Sequence, residues 1–240
     1  MYDIPEGRRA TKGKSIMNFL SLVSDEQVTS VLAVPKKAKE EKASLMLVTR
    51  NGTAKKMTYD SFKDVRRNGI IAIRLDTGDE LQAALRVQKG QSIILASSEG
   101  QSIRFAESDI REMGRTAGGV RAIKLGKGDA VIGANVVASE EGTYMLTMGT
   151  NGIGKKTEIT EYKIQKRGGS GIKTAKITTK TGKLMVAMVV HDGTELVAMS
   201  KKGQVIRVDL ATIPSSGRQT QGVTIMKLRP GDSIASITCL

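Results

Sequence analysis

Gly119-Val120-Arg121-Ala122-Ile123-Lys124-Leu125 decides the fold, because the chain writes this segment five times. The other copies are Gly13-Lys14-Ser15-Ile16-Met17-Asn18-Phe19, Gly69-Ile70-Ile71-Ala72-Ile73-Arg74-Leu75, Gly171-Ile172-Lys173-Thr174-Ala175-Lys176-Ile177 and Gly222-Val223-Thr224-Ile225-Met226-Lys227-Leu228. Successive copies begin 56, 50, 52 and 51 residues apart. Ile123 and Leu125 fall on one face and Ala122 and Lys124 on the other, the two-residue period of a half-buried strand.

Two further anchors keep this period. A turn glycine follows an apolar run at Asn51-Gly52, Glu99-Gly100, Asn151-Gly152 and Lys202-Gly203, and a Gly-Asp turn recurs at Gly78-Asp79, Gly128-Asp129 and Gly231-Asp232, with Gly182-Lys183 in the odd repeat. The run 45–49, the Asn51-Gly52 pair and the run 53–59 predict a hairpin closed by a type I′ turn, which needs positive φ at both central residues. Residues 130–138 supply a fourth run. Helical periodicity is weak, with single turns expected only over 59–66 and 107–113. Four strands in a period of about fifty residues is the pattern of propeller blades. The expected architecture is all-β, one domain over residues 1–240, with about four complete repeats and a partial one. The repeats are 1–34, 45–90, 92–139, 143–192 and 195–240, and residues 35–44 form a charged exposed loop between the first two.

Thirty-eight Lys and Arg against 24 Asp and Glu give a net charge of +14, which points to a polyanionic partner. With 39% hydrophobic residues the chain buries a core, unlike a basic disordered tail. Three Phe, four Tyr and no Trp leave too few rings for the stacking platforms of single-strand binders, so duplex is the better-fitting nucleic acid. The longest apolar run, 184–190, is far short of the roughly 20 residues that span a bilayer, and the N-terminus lacks a charged-then-apolar signal pattern. The single cysteine, Cys239, allows no internal disulfide and fits a reducing cytoplasm.

Enzyme signals are missing. Between Gly7 and Gly13 stand five residues where a P-loop needs four, and a strand follows, which argues against nucleotide binding. His191, the only histidine, has no Ser, Asp or Cys constellation around it, and no paired carboxylates recur at a catalytic spacing. No cofactor and no metal is expected.

Basic residues repeat in register with the anchors. Lys56, Arg104, Lys156 and Arg207 stand four residues past the turn glycines, Arg9, Arg115, Arg167 and Arg218 four before the strand glycines, with Arg66 and Arg67 near that place in the second repeat. Arg74, Lys124, Lys176 and Lys227 stand five residues past the strand glycines. Protection of strand edges would accept Glu as readily as Lys; a position cationic in four repeats of four suits phosphate, which duplex DNA presents about every 1.7 Å. The candidate DNA contacts are Arg9, Lys12, Lys14, Lys55, Lys56, Arg66, Arg67, Arg104, Arg115, Arg121, Lys155, Lys156, Lys166, Arg167, Lys173, Arg207 and Arg218.

Gln165-Lys166-Arg167-Gly168-Gly169-Ser170-Gly171 resembles the gyrase signature heptapeptide Gln-Arg-Arg-Gly-Gly-Lys-Gly, matching at Gln165, Arg167, Gly168, Gly169 and Gly171. Close-spaced glycines let a loop bring backbone N–H groups near phosphate while neighbouring cations pair with it. Pro5-Glu6-Gly7-Arg8-Arg9, the run 49–56, the run 114–125, the run 151–156 and the run 217–223 are likewise similar to repeat signatures of the gyrase A C-terminal domain family, so the resemblance covers nearly the whole chain. It implies a β-pinwheel, a propeller-like disc that wraps duplex DNA on its rim and catalyses nothing itself. It further implies that the disc is joined to the remainder of a bacterial gyrase A subunit, which in turn binds the gyrase B subunit in an A2B2 holoenzyme. That holoenzyme uses ATP to introduce negative supercoils in the cytoplasm, on the nucleoid. The family's principal heptapeptide lies in a first blade expected upstream of Met1, and Ser170 stands in place of a cation. The equivalent domain of the topoisomerase IV A subunit is the nearest alternative, disfavoured by the heptapeptide; a protein-binding propeller would show recurrent apolar hot spots instead of recurrent cations.

Overall fold

The hairpin that each turn glycine closes is the unit from which the fold is built. The computed structural model describes residues 13–20, 22, 26–33, 43–63, 65 and 69–240. Strands β1 (Ser44–Thr49) and β2 (Thr53–Thr58) pair antiparallel with Val48 opposite Ala54, leaving a three-residue loop. The Gly52 amide donates to the Thr49 carbonyl and Gly52 sits at φ +87°. The expected two-residue type I′ turn is therefore a three-residue loop with a left-handed glycine at its end, the next commonest hairpin connection. Ser44, expected in the charged loop, opens β1; most of that loop lies outside the described residues.

On the other side of β1 lies β3 (Leu81–Val87). The same trio recurs with β4 (Ser92–Ser97), β5 (Gln101–Ala106) and, beyond a two-residue strand β6 (Val120–Arg121), β7 (Val131–Val137). It recurs again with β8 (Thr143–Gly149), β9 (Ile153–Glu158) and β11 (Leu184–His191), which follows β10 (Ile172–Lys173). The last trio is β12 (Glu195–Ser200), β13 (Val205–Asp209) and β15 (Ile234–Cys239), with β14 (Val223–Thr224) before β15. One-turn 3-10 helices at Tyr59–Phe62 and Glu107–Asp109 fill the places where single turns are expected, and two more follow β9 and β13.

The fourth strand of each sheet comes from the next repeat. The sheets run β3-β1-β2-β6, β7-β4-β5-β10 and β11-β8-β9-β14, and the last, β15-β12-β13, has three strands among the described residues. Thus the strand glycine segment leaves its own repeat and docks on the preceding hairpin, and its ladder is only two residues long.

The inner strands stack in sequence, β3 against β7, β7 against β11 and β11 against β15, which puts β6, β10 and β14 at the opposite, outer ends of the sheets. Close approach at the inner end needs a missing side chain: a Cβ at Gly133 would lie 2.2 Å from the Ala187 carbonyl oxygen. Asn135 reinforces it, donating to the Ala187 carbonyl and accepting from the Val189 amide.

The core lies between successive sheets. Ile93 and Leu95 join Met46, Val48 and Phe105 on one face of β4, whereas Ile94 and Ala96 join Met145, Ile159 and Tyr162 on the other. A strand covered on both faces cannot alternate apolar with polar. β4 reads Ser-Ile-Ile-Leu-Ala-Ser for this reason, and each fully buried Ile or Leu contributes roughly 1.5–3 kcal/mol.

Candidate nucleic-acid interface

Each outer segment is locked to its hairpin by a pair of glycines. The Gly52 carbonyl accepts the Ala122 and Ile123 amides, that of Gly100 the Thr174 amide at 2.8 Å, and that of Gly152 the Ile225 and Met226 amides. A Cβ would meet the opposing backbone on both sides of the joint: at Gly152, 2.2 Å from the Met226 carbonyl oxygen, and at Gly222, 2.2 Å from that of Gly154. The third anchor holds the hairpin tip, since Asp79, Asp129 and Asp232 each accept the amide just before the turn glycine, from Asn51, Glu99 and Lys202. The three recurrent signals are three parts of one joint.

The joint also decides which cations face outward. Second hairpin strands are covered by the docked outer segment and by the next sheet, so Lys55, Lys56, Arg104, Lys155 and Lys156 are all buried. Lys56 pairs with Glu107 at 2.5 Å. The Arg104 guanidinium donates to Ser92 Oγ and to the Ile159 and Tyr162 carbonyls, and meets Glu140 at 2.7 Å. The Lys156 ammonium lies 4.8 Å from the centre of the Tyr144 ring. Hence the position four past the turn glycine, expected at the rim, points inward in three cases of four. Only Arg207 is exposed there, and it is paired with Glu195. Lys55 donates to the Ala72 carbonyl of its own repeat and the Arg115 carbonyl of the next, and Lys155 to the Gly217 and Arg218 carbonyls of the next.

Exposed cations recur on the outer segments. Arg121 and Lys124, Lys173 and Lys176, and Lys227 face solvent on successive outer segments, and Arg74 does so on residues 69–75. Lys124, Lys176, Lys227 and Arg74 lie outside the candidate set drawn from the sequence. The signal that finds them is their recurrence five residues past each strand glycine; the expected alternation does not hold there, since Ala122 and Ile123 are both buried and Lys124 is exposed. Lys14 and Arg115 are exposed as well, while Arg9, Lys12, Arg66 and Arg67 lie outside the described residues.

The heptapeptide bridges two outer segments. Gln165 donates its amide to the Arg104 carbonyl, and the Gly168 amide donates to the Ala122 carbonyl at 2.6 Å with Gly168 at φ +82°. The Gly169 carbonyl accepts the Lys124 amide at 2.8 Å. Arg167, half-buried, donates to the carbonyls of Asp109 and Arg121 at 2.9 and 3.0 Å. Arg218 repeats this stitch one joint later, donating to the Lys173 carbonyl. Lys166 and Ser170 are exposed, Lys166 beside Asp109. Arg167 and Arg218 thus align neighbouring outer segments.

Among the described residues no cluster of three His, Cys, Asp or Glu side chains is placed to hold a metal, and no helix is long and apolar enough to cross a membrane. His191 makes a structural bond to Thr143, and burial raises the Cys239 thiol above its ordinary range.

The family described as "DNA gyrase C-terminal domain, beta-propeller" matches residues 1–35, 43–88, 91–138, 143–191 and 194–240. The DNA gyrase A subunit of Mycolicibacterium smegmatis is 38% identical over 238 residues, covering 98% of this chain and 28% of its own length. That of Staphylococcus epidermidis is 36% identical over 236 residues, covering 98% and 26%. The chain therefore spans about a quarter of the length of these relatives. Among solved structures, the C-terminal domain of DNA topoisomerase IV superposes with a TM-score of 0.87 at 20% identity, covering 95% of this chain and 70% of that one. The DNA gyrase A C-terminal domain does so with 0.79 at 24%, covering 95% and 75%. These two likenesses establish the fold, and the family match runs through five consecutive repeats. The chain belongs to the DNA gyrase C-terminal domain family of β-propellers.

Proposed function

We propose that the chain binds duplex DNA along the outer ends of its sheets and bends it there, without sequence preference. In this reading it is the non-catalytic wrapping module of a bacterial gyrase A subunit. The whole enzyme, with the gyrase B subunit in an A2B2 assembly on the nucleoid, couples ATP to negative supercoiling. The carrying observation is the recurrence of exposed cations on successive outer segments, Arg121 with Lys124, Lys173 with Lys176, then Lys227. Further support comes from the net charge of +14, the scarcity of aromatic rings and the names of the relatives. Lys14, Arg74, Arg115 and Lys166 extend the track, and Arg167 and Arg218 keep its members in register. Lys55, Lys56, Arg104, Lys155 and Lys156 have interior roles in this reading.

Phosphate contacts release counterions, so log affinity falls with log salt by roughly 0.9 per phosphate neutralised. With about eight contacts the slope is near −7, and duplex binds more tightly than single strand. The test is fluorescence anisotropy on random-sequence duplex across a salt series, with Lys124→Glu and Lys176→Glu combined. The expected result is a steep slope that the double variant flattens; a slope near zero, or preference for single strands, contradicts the proposal.

A further inference from the structure

Two buried lysines stand three residues past their turn glycines, Lys55 and Lys155, and neither reaches the rim. The Lys155 ammonium donates to the Gly217 carbonyl, to the Arg218 carbonyl at 2.7 Å and to Thr220 Oγ1 at 3.1 Å. An ammonium has three donors, and here all three have acceptors in one loop, 216–220. That loop ties two outer segments together: the Arg218 guanidinium reaches the Lys173 carbonyl, and the Thr220 carbonyl accepts the Lys176 amide at 3.1 Å. Lys55 donates to the Arg115 and Ala72 carbonyls, each at 2.7 Å. Arg115 lies in the equivalent loop, which the same turn closes, from the Ala117 amide to the Gly114 carbonyl, as from Thr220 to Gly217.

The joint between supplies a natural contrast. At the equivalent position stands Ile103, and the loop opposite is the heptapeptide, with a Cβ on Gly169 falling 3.9 Å from Ile103 Cδ1. There the loop is held by the Gly168 amide and the Arg167 guanidinium instead.

We propose that Lys155, with Lys55 as its counterpart, is a positioning residue for DNA binding. From inside the blade it pins the loop that aligns the outer segments, and so sets affinity without touching DNA. The inference rests on the reading of the rim as the DNA surface. It is distinct from that reading because the lysine acts through Arg218, Lys173 and Lys176.

Protonation provides a readout. Burial lowers Lys155 from the usual 10.5 to about 8, opposed by the nearby Glu161 carboxylate and reinforced by the Arg218 guanidinium. Above about pH 8 the neutral amine has two donors for three acceptors, and the latch loosens. Fold stability runs the other way. The unfolded chain holds this proton more tightly, so the group's contribution to stability rises with pH between about 8 and the ordinary lysine range. DNA affinity that falls while the fold does not weaken separates positioning from scaffolding.

The experiment compares the wild-type chain with Lys155→Met by amide exchange in NMR and by anisotropy on a labelled random-sequence duplex, from about pH 7 to about pH 9 at fixed salt. The Lys176 amide in the variant should exchange roughly fivefold faster, the equivalent of one lost hydrogen bond, while the Lys124 amide, held by Gly169, is unchanged. The variant should bind duplex roughly fivefold more weakly with a nearly flat pH profile, and the wild type should fall toward it as pH rises. Equal affinity and equal profiles in two proteins that both bind overturn the proposal, as does equal acceleration at Lys124 and Lys176. If the variant fails to fold, the wild-type series decides alone, and affinity independent of pH overturns the proposal. A wild-type chain that binds no duplex instead defeats the rim reading beneath it.

Discussion

Glycine at the joint does two jobs that are separable by substitution. Gly152 and Gly203 both adopt left-handed backbone, at φ +78° and +81°, but only Gly152 has an outer segment against it. Alanine at either site pays the left-handed penalty of about 1–2 kcal/mol. At Gly152 it must also displace the Met226 carbonyl and lose the amides that Gly152 accepts, so Gly152→Ala should cost roughly 1–2 kcal/mol more than Gly203→Ala in urea denaturation. Equal costs would mean that the joint is loose. Arg104 makes the matching case for a cation. Arg104→Ala strands Ser92 Oγ and two carbonyls in the interior, so it should lower stability by about 2–4 kcal/mol. Its DNA affinity, measured well below the melting transition, should stay within about twofold of wild type, because a buried guanidinium neutralises no phosphate. A large affinity loss without a stability loss would return Arg104 to the rim.

At the scale of the element, the outer segment both docks on the preceding hairpin and, in the proposed reading, carries the DNA contacts. Removing one free cation, by Lys124→Ala or Lys176→Ala, should reduce the salt slope by about 0.9 each and weaken binding uniformly across sequences. Lys56→Ala should leave the slope alone, and a salt series on the three variants checks both expectations. Strand character in residues 119–125 was only partly legible: Val120–Arg121 is strand, but Ala122, expected on the face of Lys124, is buried beside Ile123, so the two-residue period does not hold through the segment. The partner was not legible, since a two-residue ladder carries almost no pattern and every repeat offers an equivalent hairpin. Nothing within a period distinguishes docking at home from docking next door. The recurrent base past the turn glycine misled for a related reason: in a repeat protein a structural joint recurs as faithfully as a binding station, and only burial separates Lys56 from Lys124. The turn misled by one residue, because Asn-Gly also fits a three-residue loop with glycine last.

For the molecule as a whole, the sheets stack through β3, β7, β11 and β15 with their outer ends away from that line, and on the proposed reading DNA must curve to meet them all. Bending 20–30 base pairs by 40–90° costs about 1–6 kcal/mol, so it occurs only if contacts on successive sheets outweigh the elastic penalty. Binding without bending would need just one sheet; wrapping needs the cations of β6, β10 and the segment bearing Lys227 together. The most direct measurement is to ligate nicked plasmid in the presence of the protein and read the linking-number distribution after deproteinisation. A shift that grows with protein bound is predicted for the wild type, and its loss is predicted when Lys124, Lys176 and Lys227 are all changed to Glu. An unshifted distribution on DNA that is demonstrably bound, or a full shift in the triple variant, would contradict the assignment of the outer segments as a wrapping surface.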